Sequence, residues 1–252
     1  MDATGNGRPG RCARPEGILA RAWQALVAGM FPTRCVGCGR RGAAFCAACW
    51  DTLPRLRPPW CPRCSRPERH GTRCQDCRRG AASLVAVRAP CGYSGSISVA
   101  VRRLKYEQER HLAAPLAALL LDCLAARPLA VDALVPVPLD PARGRQRGYN
   151  QAVLLAAPLA AALELPLLAG ALRRTRPTRP QVGLNARERR SNVRGAFACV
   201  SPSTVAGRRV LLVDDVMTTG ATLEACADAL AAAGAAQVYG LVVARDVPLA
   251  AR

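Results

Sequence analysis

Apolar residues fall along this chain in two spacings. Short, nearly unbroken runs at Ser83–Val87, Val131–Val137, Val210–Val213 and Gln237–Ala244 have the length of strands and lack polar alternation, as strands covered on both faces do. Between them, Ser96–Arg103, His111–Ala126, Asn150–Leu163 and Leu223–Ala233 show helical spacing, the last stopping at Gly234. Pro115 falls in the first turn of its helix, where proline is tolerated. Strands separated by helices of this length predict right-handed βαβ crossovers and an α/β fold with a mostly parallel sheet flanked by helices. Upstream, Ile18–Phe31 reads as a short amphipathic helix. Arg21 and Gln24 interrupt it, so it suits neither an export signal nor a membrane span.

The run Val210-Leu-Leu-Val-Asp-Asp-Val-Met-Thr-Thr-Gly-Ala-Thr222 changes the picture from fold to chemistry. A buried strand leads into two carboxylates, then into a hydroxyl- and glycine-rich turn that opens a helix. Ligands of open α/β sheets sit at the carboxyl ends of strands, and helix N-termini receive anions. Asp214 and Asp215 can accept hydrogen bonds from a vicinal diol or hold a divalent cation. A sugar phosphate with free hydroxyls satisfies both halves. The stretch closely resembles the PRPP (5-phosphoribosyl-1-pyrophosphate) loop of type I phosphoribosyltransferases. That resemblance puts Asp214 and Asp215 on the ribose hydroxyls, and Thr218, Thr219, Gly220 and Thr222 around the 5′-phosphate.

Two further segments carry anion chemistry. Val135-Pro-Val-Pro-Leu139 leaves a strand into a rigid turn, followed by Arg143, Arg145 and Arg147-Gly-Tyr-Asn-Gln151, where guanidinium forks suit phosphate. Gln181–Phe197 is polar, basic and punctuated by glycine, as suits a flap closing over a polyanion. Lys105, in Leu104-Lys-Tyr106, is a further candidate for the same site.

Eight of 13 cysteines form four C-x-x-C pairs: Cys35/Cys38, Cys46/Cys49, Cys61/Cys64 and Cys74/Cys77. Each pair offers two thiolates from a tight turn, and two pairs complete a tetrahedral S₄ site, so eight ligands predict two structural zinc ions. Sequential pairing leaves short gaps between paired knuckles, and interleaved pairing leaves longer ones; spacing alone allows both. The remaining cysteines, Cys12, Cys91, Cys123, Cys199 and Cys226, read as reduced packing residues.

The formal charge is +19, and every basic residue except Lys105 is arginine. Bound zinc with four thiolates carries −2 per site, which lowers the total to about +15. This basicity suits phosphate-bearing partners, nucleic acid included, although an Arg- and Ala-rich composition accounts for much of it. No run reaches the ~18 apolar residues of a membrane span. A cytoplasmic protein is expected.

Taken in order, the four knuckles, Leu104-Lys-Tyr106, Val135-Pro-Val-Pro138, Arg147-Gly-Tyr-Asn-Gln151, Gln181–Phe197 and the Val210–Thr222 loop resemble the competence protein ComF (ComFC/GntX) family over about residues 33–245. The resemblance implies a type I phosphoribosyltransferase-like domain over 81–252, behind a double zinc ribbon over 33–80 and an extension over 1–32. It implies catalytic roles for Asp214, Asp215, Lys105 and Arg187. It implies ligand binding by Asp214, Asp215, Val216, Met217, Thr218, Thr219, Gly220, Ala221 and Thr222, with Pro138 and Arg147. The implied cofactors are two Zn²⁺ ions and Mg²⁺ accompanying PRPP. The implied partners are PRPP or a related phosphoribosyl ligand, single-stranded DNA and DNA-uptake proteins. Glutamine-dependent PRPP amidotransferases share the loop, but Met1-Asp2 supplies no N-terminal cysteine nucleophile. The expected function is phosphoribosyl transfer to an unidentified acceptor with loss of pyrophosphate. The alternative is a non-catalytic PRPP- or nucleotide-sensing module that engages DNA or a translocation partner.

Overall fold

The computed structural model describes residues 33–78, 83–176 and 186–247; the Ile18–Phe31 helix, Cys12 and the first five residues of the Gln181–Phe197 flap lie outside them. The cysteine region holds two short helices, α1 (Ala47–Asp51) and α2 (Gln75–Arg78). The sheet then opens with β1 (Leu84–Arg88) and β2 (Cys91–Gly92), followed by α3 (Gly95–Tyr106), a 3₁₀ turn at Arg110–Leu112 and α4 (Ala113–Ala126). Next come β3 (Ala133–Pro136), α5 (Pro141–Arg147), α6 (Gln151–Ala162), β4 (Leu172–Arg174), α7 (Ala186–Val193), β5 (Phe197–Cys199) and α8 (Pro202–Val205). The chain finishes with β6 (Arg209–Met217), α9 (Ala221–Ala232) and β7 (Gln237–Arg245).

The main sheet runs β1-β7-β6-β3, with β2 extending the β1 edge along β7, and every pairing in it is parallel. Burial accounts for the apolar runs of its strands. Leu211, Val213, Leu241 and Val243 join one core with α3, α4 and α6, while Val210, Leu212, Val238 and Val242 join a second with α9. Residues alternate between the faces of a strand, and here both faces are covered.

Three elements depart from the sequence expectation. β6 continues past Val213 through both aspartates to Met217, because its ladder to β7 goes on at Asp214↔Val242, Val216↔Ala244 and Met217↔Arg245. The Arg143–Arg147 stretch is a helix, α5: Asp140 caps it by accepting from the Ala142 and Arg143 amides at 3.0 and 3.4 Å, Pro141 starts it, and left-handed Gly148 ends it. A separate antiparallel pair, β4–β5, has no counterpart in the apolar pattern. Among the described residues no helix is long and apolar enough to cross a membrane.

Candidate functional site

The extension of β6 decides where its two carboxylates point. Adjacent residues of a strand face opposite ways. Asp215 turns to the α3 side, where its Oδ1 lies 2.6 Å from Lys105 Nζ, with side-chain exposures of 3% and 22%. Its Oδ2 is buried without a hydrogen-bond partner, an unsatisfied hard oxygen of the kind a divalent cation uses. Asp214 is half-buried, and its Oδ1 accepts the Asp215 amide at 2.9 Å. Burial, then the neighbouring Asp215 charge, raise the Asp214 carboxyl to about 7, with Lys105 pulling the other way. Burial alone would lower the Lys105 ammonium, but Asp215, aided by Asp214, holds it above the usual lysine value.

Lys105 is placed by the amphipathic packing of α3. Ile97, Ala100, Val101 and Leu104 are buried at helical spacing, which leaves the next residue facing the end of β6. The Tyr149 hydroxyl donates to the Leu104 carbonyl, and the Arg110 guanidinium stacks 4.5 Å over the Tyr149 ring. Asn150 caps α6 by accepting the Ala152 amide at 3.0 Å, and its Nδ2 donates to the Val137 carbonyl at 2.9 Å. The Arg147–Gln151 motif is thus largely a brace, fixing α3, α6 and the Val137–Leu139 turn together.

After Met217 the chain turns into α9. Gly220 sits at its N-cap with φ +84°, and a Cβ there would come 2.6 Å from Met217 Cε. The side chain can yield; the left-handed backbone cannot. Gly220→Ala is expected to cost about 1–2 kcal/mol of stability, the usual penalty for a side chain in that conformation, measured as a lowered denaturation midpoint. An unchanged midpoint would mean the turn relaxes into another conformation. The Thr219 hydroxyl accepts the Ala221 amide at 3.4 Å.

A cavity of about 500 Å³ lies where these elements meet, at the carboxyl ends of β3 and β6. Of the residues singled out in the sequence as site candidates, Lys105, Pro138, Arg143, Asp214, Asp215, Val216, Thr218 and Thr222 line it, with Tyr106, Val137, Leu139 and Gln151 of the same motifs. Met217 instead points into the core, where Arg245 Nη1 donates to its sulfur at 3.2 Å. Thr219, Gly220 and Ala221 shape the turn without lining the cavity. Arg147 lines an adjoining hollow of about 250 Å³ together with Lys105, Tyr106 and Arg143, stacks over Tyr106 at 5.3 Å and donates to Gln151. Arg187 belongs to α7, and its side chain lies outside the described residues.

Three lining residues carried no motif: Tyr93, Asp140 and Arg174. Arg174, on β4, is 9% exposed at its side chain, reaches Asp140 Oδ2 at 3.6 Å and stacks over Phe197 at 5.2 Å. Asp140 thereby both caps α5 and holds a guanidinium at the cavity wall. The signal for Asp140 is present in the sequence, since Asp-Pro is a helix start. Arg174, among many arginines on a three-residue strand, has none.

The cysteines settle their own pairing. Cys35, Cys38, Cys46 and Cys49 form one cluster and Cys61, Cys64, Cys74 and Cys77 another, with all sulfurs of a cluster within 4.8 Å of one another. The Cys38–Cys46 and Cys64–Cys74 sulfurs stand 3.7 Å apart in each case. Two sulfurs at ~2.3 Å from a tetrahedral zinc are separated by about 3.8 Å, so both clusters fit that ion. The pairing is sequential. The Cys46 and Cys74 amides donate to the Cys35 and Cys61 sulfurs at 3.3 and 3.4 Å. Gly37 is required by close approach, since a Cβ there would lie 2.7 Å from Cys49 Sγ.

Two segments of the chain match known domain families: a double zinc ribbon domain over residues 26–78 and a phosphoribosyl transferase domain over 150–248. The chain is therefore of the class that joins an N-terminal double zinc ribbon to a phosphoribosyltransferase fold. Competence protein F of Haemophilus influenzae is 34% identical over 224 residues, covering 84% of this chain and 97% of that protein. DNA utilization protein YhgH of Escherichia coli K12 is 34% identical over 200 residues, covering 77% and 87%. The chain belongs to the competence protein ComF family. A glutamine PRPP amidotransferase from B. subtilis, solved with ADP and GMP, superposes with a TM-score of 0.35 at 23% identity over 59% of this chain and 27% of that one, too little to add to the topology.

Proposed function

We propose that the cavity binds PRPP with Mg²⁺ and that the protein transfers phosphoribose to an acceptor with release of pyrophosphate. One observation carries this reading: a carboxylate pair, a lysine and the hydroxyls of a helix-opening turn converge on a single cavity at the end of β6. Thr218, Thr222 and the first-turn amides of α9 suit the 5′-phosphate. Asp214 suits the ribose hydroxyls. Lys105 and Arg143, which also line the cavity, suit the pyrophosphate, and Arg187 is carried as a further catalytic candidate on the family resemblance alone. Mg²⁺ would be held by Asp214 and Asp215 and would neutralise charge on the pyrophosphate. In the reaction the C1–O bond to pyrophosphate breaks, the acceptor forms its bond to C1 and loses a proton, and the fixed cations stabilise the departing charge.

The names of the relatives add competence and DNA utilization as the setting, with single-stranded DNA and uptake proteins as partners. Thiolate zinc sites and packing cysteines suit the reducing cytoplasm. The non-catalytic reading, a PRPP-sensing module, uses the same cavity without the transfer step.

Calorimetric titration of the zinc-loaded protein with PRPP and Mg²⁺, followed by a pyrophosphate-release assay, tests this. Binding with release is expected; binding without release leaves the sensing module, and no binding removes both. Asp214, held near 7, must lose its proton to accept a hydroxyl or cation at full charge. Affinity is therefore expected to rise from pH 6 to pH 8, with proton release on binding below about pH 7. A flat profile would remove Asp214 from the ligand.

A further inference from the structure

Arg63 lies inside the Cys61–Cys64 knuckle and is 7% exposed. Its Nε donates to the Leu84 carbonyl at 3.1 Å, its Nη1 to the Cys77 carbonyl at 3.3 Å and its Nη2 to Glu224 Oε1 at 3.0 Å. One planar fork thus ties the second cysteine cluster, the first strand of the sheet and the first turn of α9. A compact ammonium could not reach three such acceptors in fixed directions.

Glu224 gives this contact its meaning. It stands in the first turn of α9, with its amide bonded to the Gly220 carbonyl at 2.9 Å. That turn is also the end of the helix where Thr218 and Thr222 line the cavity. A carboxylate at a helix N-terminus satisfies the dipole in a bare helix. Where the same N-terminus must receive an anion, that carboxylate competes with it and repels it. The guanidinium held by the zinc knuckle cancels this charge from the protein side. The second cluster is the one placed to do so. Cys61, Cys64 and Cys74 share a core with α9, whereas Val36, Phe45 and Leu53 of the first ribbon pack into the core of α3, α4 and α6.

Resting on the reading that the loop takes a sugar phosphate, we propose that Arg63 is a positioning residue: fixed by the second zinc ribbon, it neutralises Glu224 and keeps the first turn of α9 receptive to an anion. The ribbon is then part of the anion site's electrostatics without touching the ligand.

The test titrates the full-length, zinc-loaded protein with ribose 5-phosphate. Arg63→Met is expected to keep two zinc equivalents and bind about tenfold more weakly, the scale of a partly buried charge at a helix N-terminus. Adding Glu224→Gln to Arg63→Met is expected to return affinity to within about twofold of wild type, a rescue that lost packing would not show. Asp76→Asn breaks the Arg66–Asp76 pair (2.7 Å) elsewhere in the same ribbon and leaves affinity unchanged. Wild-type affinity in Arg63→Met, or no recovery in the double variant, overturns the proposal. Should Arg63→Met lose zinc or fail to fold, Glu224→Gln alone decides: equal or tighter binding supports the charge role, and a tenfold loss overturns it. A wild-type protein that binds neither ribose 5-phosphate nor PRPP overturns the sugar-phosphate reading together with the inference, whereas wild-type binding with an indifferent Arg63→Met overturns the inference alone.

Discussion

Replacing both carboxylates of β6, Asp214→Asn with Asp215→Asn, is expected to abolish the thermal stabilisation that PRPP and Mg²⁺ give the wild-type protein. A ligand at a hundred times its Kd adds about 2.7 kcal/mol, so the loss is large enough to read in a melting curve. The single variants separate the two residues. Asp215→Asn leaves the Lys105 ammonium, now within 2.6 Å of its partner, with only the more distant Asp214 as counter-charge at the end of β6. Breaking one side of a buried pair typically costs about 3–5 kcal/mol, and the 22% exposure of Lys105 puts this case at the lower end. Asp214→Asn works in the other direction. The folded protein holds the Asp214 carboxyl at about 7 against an ordinary 3.8. Its contribution therefore favours the fold below about pH 4 and is lost as pH rises through about 7. At pH 8 the ligand-free Asp214→Asn variant is expected to melt at or above the wild-type temperature, and Asp215→Asn below it. Undiminished PRPP stabilisation of the double variant would sink the site assignment.

The second large effect is metal removal. Purified protein is expected to carry two equivalents of zinc, each contributing on the order of 10–16 kcal/mol of apparent binding energy to the fold of its ribbon. A strong chelator should withdraw them in two phases. Cys38 is exposed and Cys46 and Cys49 are half-buried, while Cys61, Cys64 and Cys74 are buried, so the first cluster empties first. Zinc release followed with a metallochromic dye checks this. Fewer than two equivalents would contradict the eight-ligand count, and a faster loss from the second cluster would contradict the burial argument.

The sheet is legible in the sequence because its strands are covered twice. Val210–Val213 and Gln237–Ala244 have to be apolar on both faces, and neither an exposed strand nor a surface helix produces such short unbroken runs. What hides the rest is local. Asp214 and Asp215 look like the end of a strand, yet the backbone ladder is indifferent to their side chains and runs on to Met217. Gly144 and the run of arginines give α5 no apolar stripe, although Asp140 and Pro141 are a start signal and Gly148 a stop. The β4–β5 pair has three residues a side, too few to show a period. Arg174 is hidden with it. The cysteine spacing shows a double zinc ribbon but leaves its pairing open, since loop closure varies only slowly with loop length. Three-dimensional proximity decides it.

The composition places the chain's one side-chain amine at the centre of the site. Every other basic residue is arginine, and Lys105 projects into the cavity beside Asp215. Acylating agents and aldehydes, which ignore guanidinium groups and attack unprotonated amines, therefore find a single lysine in the sequence. Asp215 keeps that lysine charged and slow to react. Whatever draws the aspartate away from it frees the one lysine amine, so the rate of modification at that residue, followed by peptide mapping, reports on the pairing within the cavity.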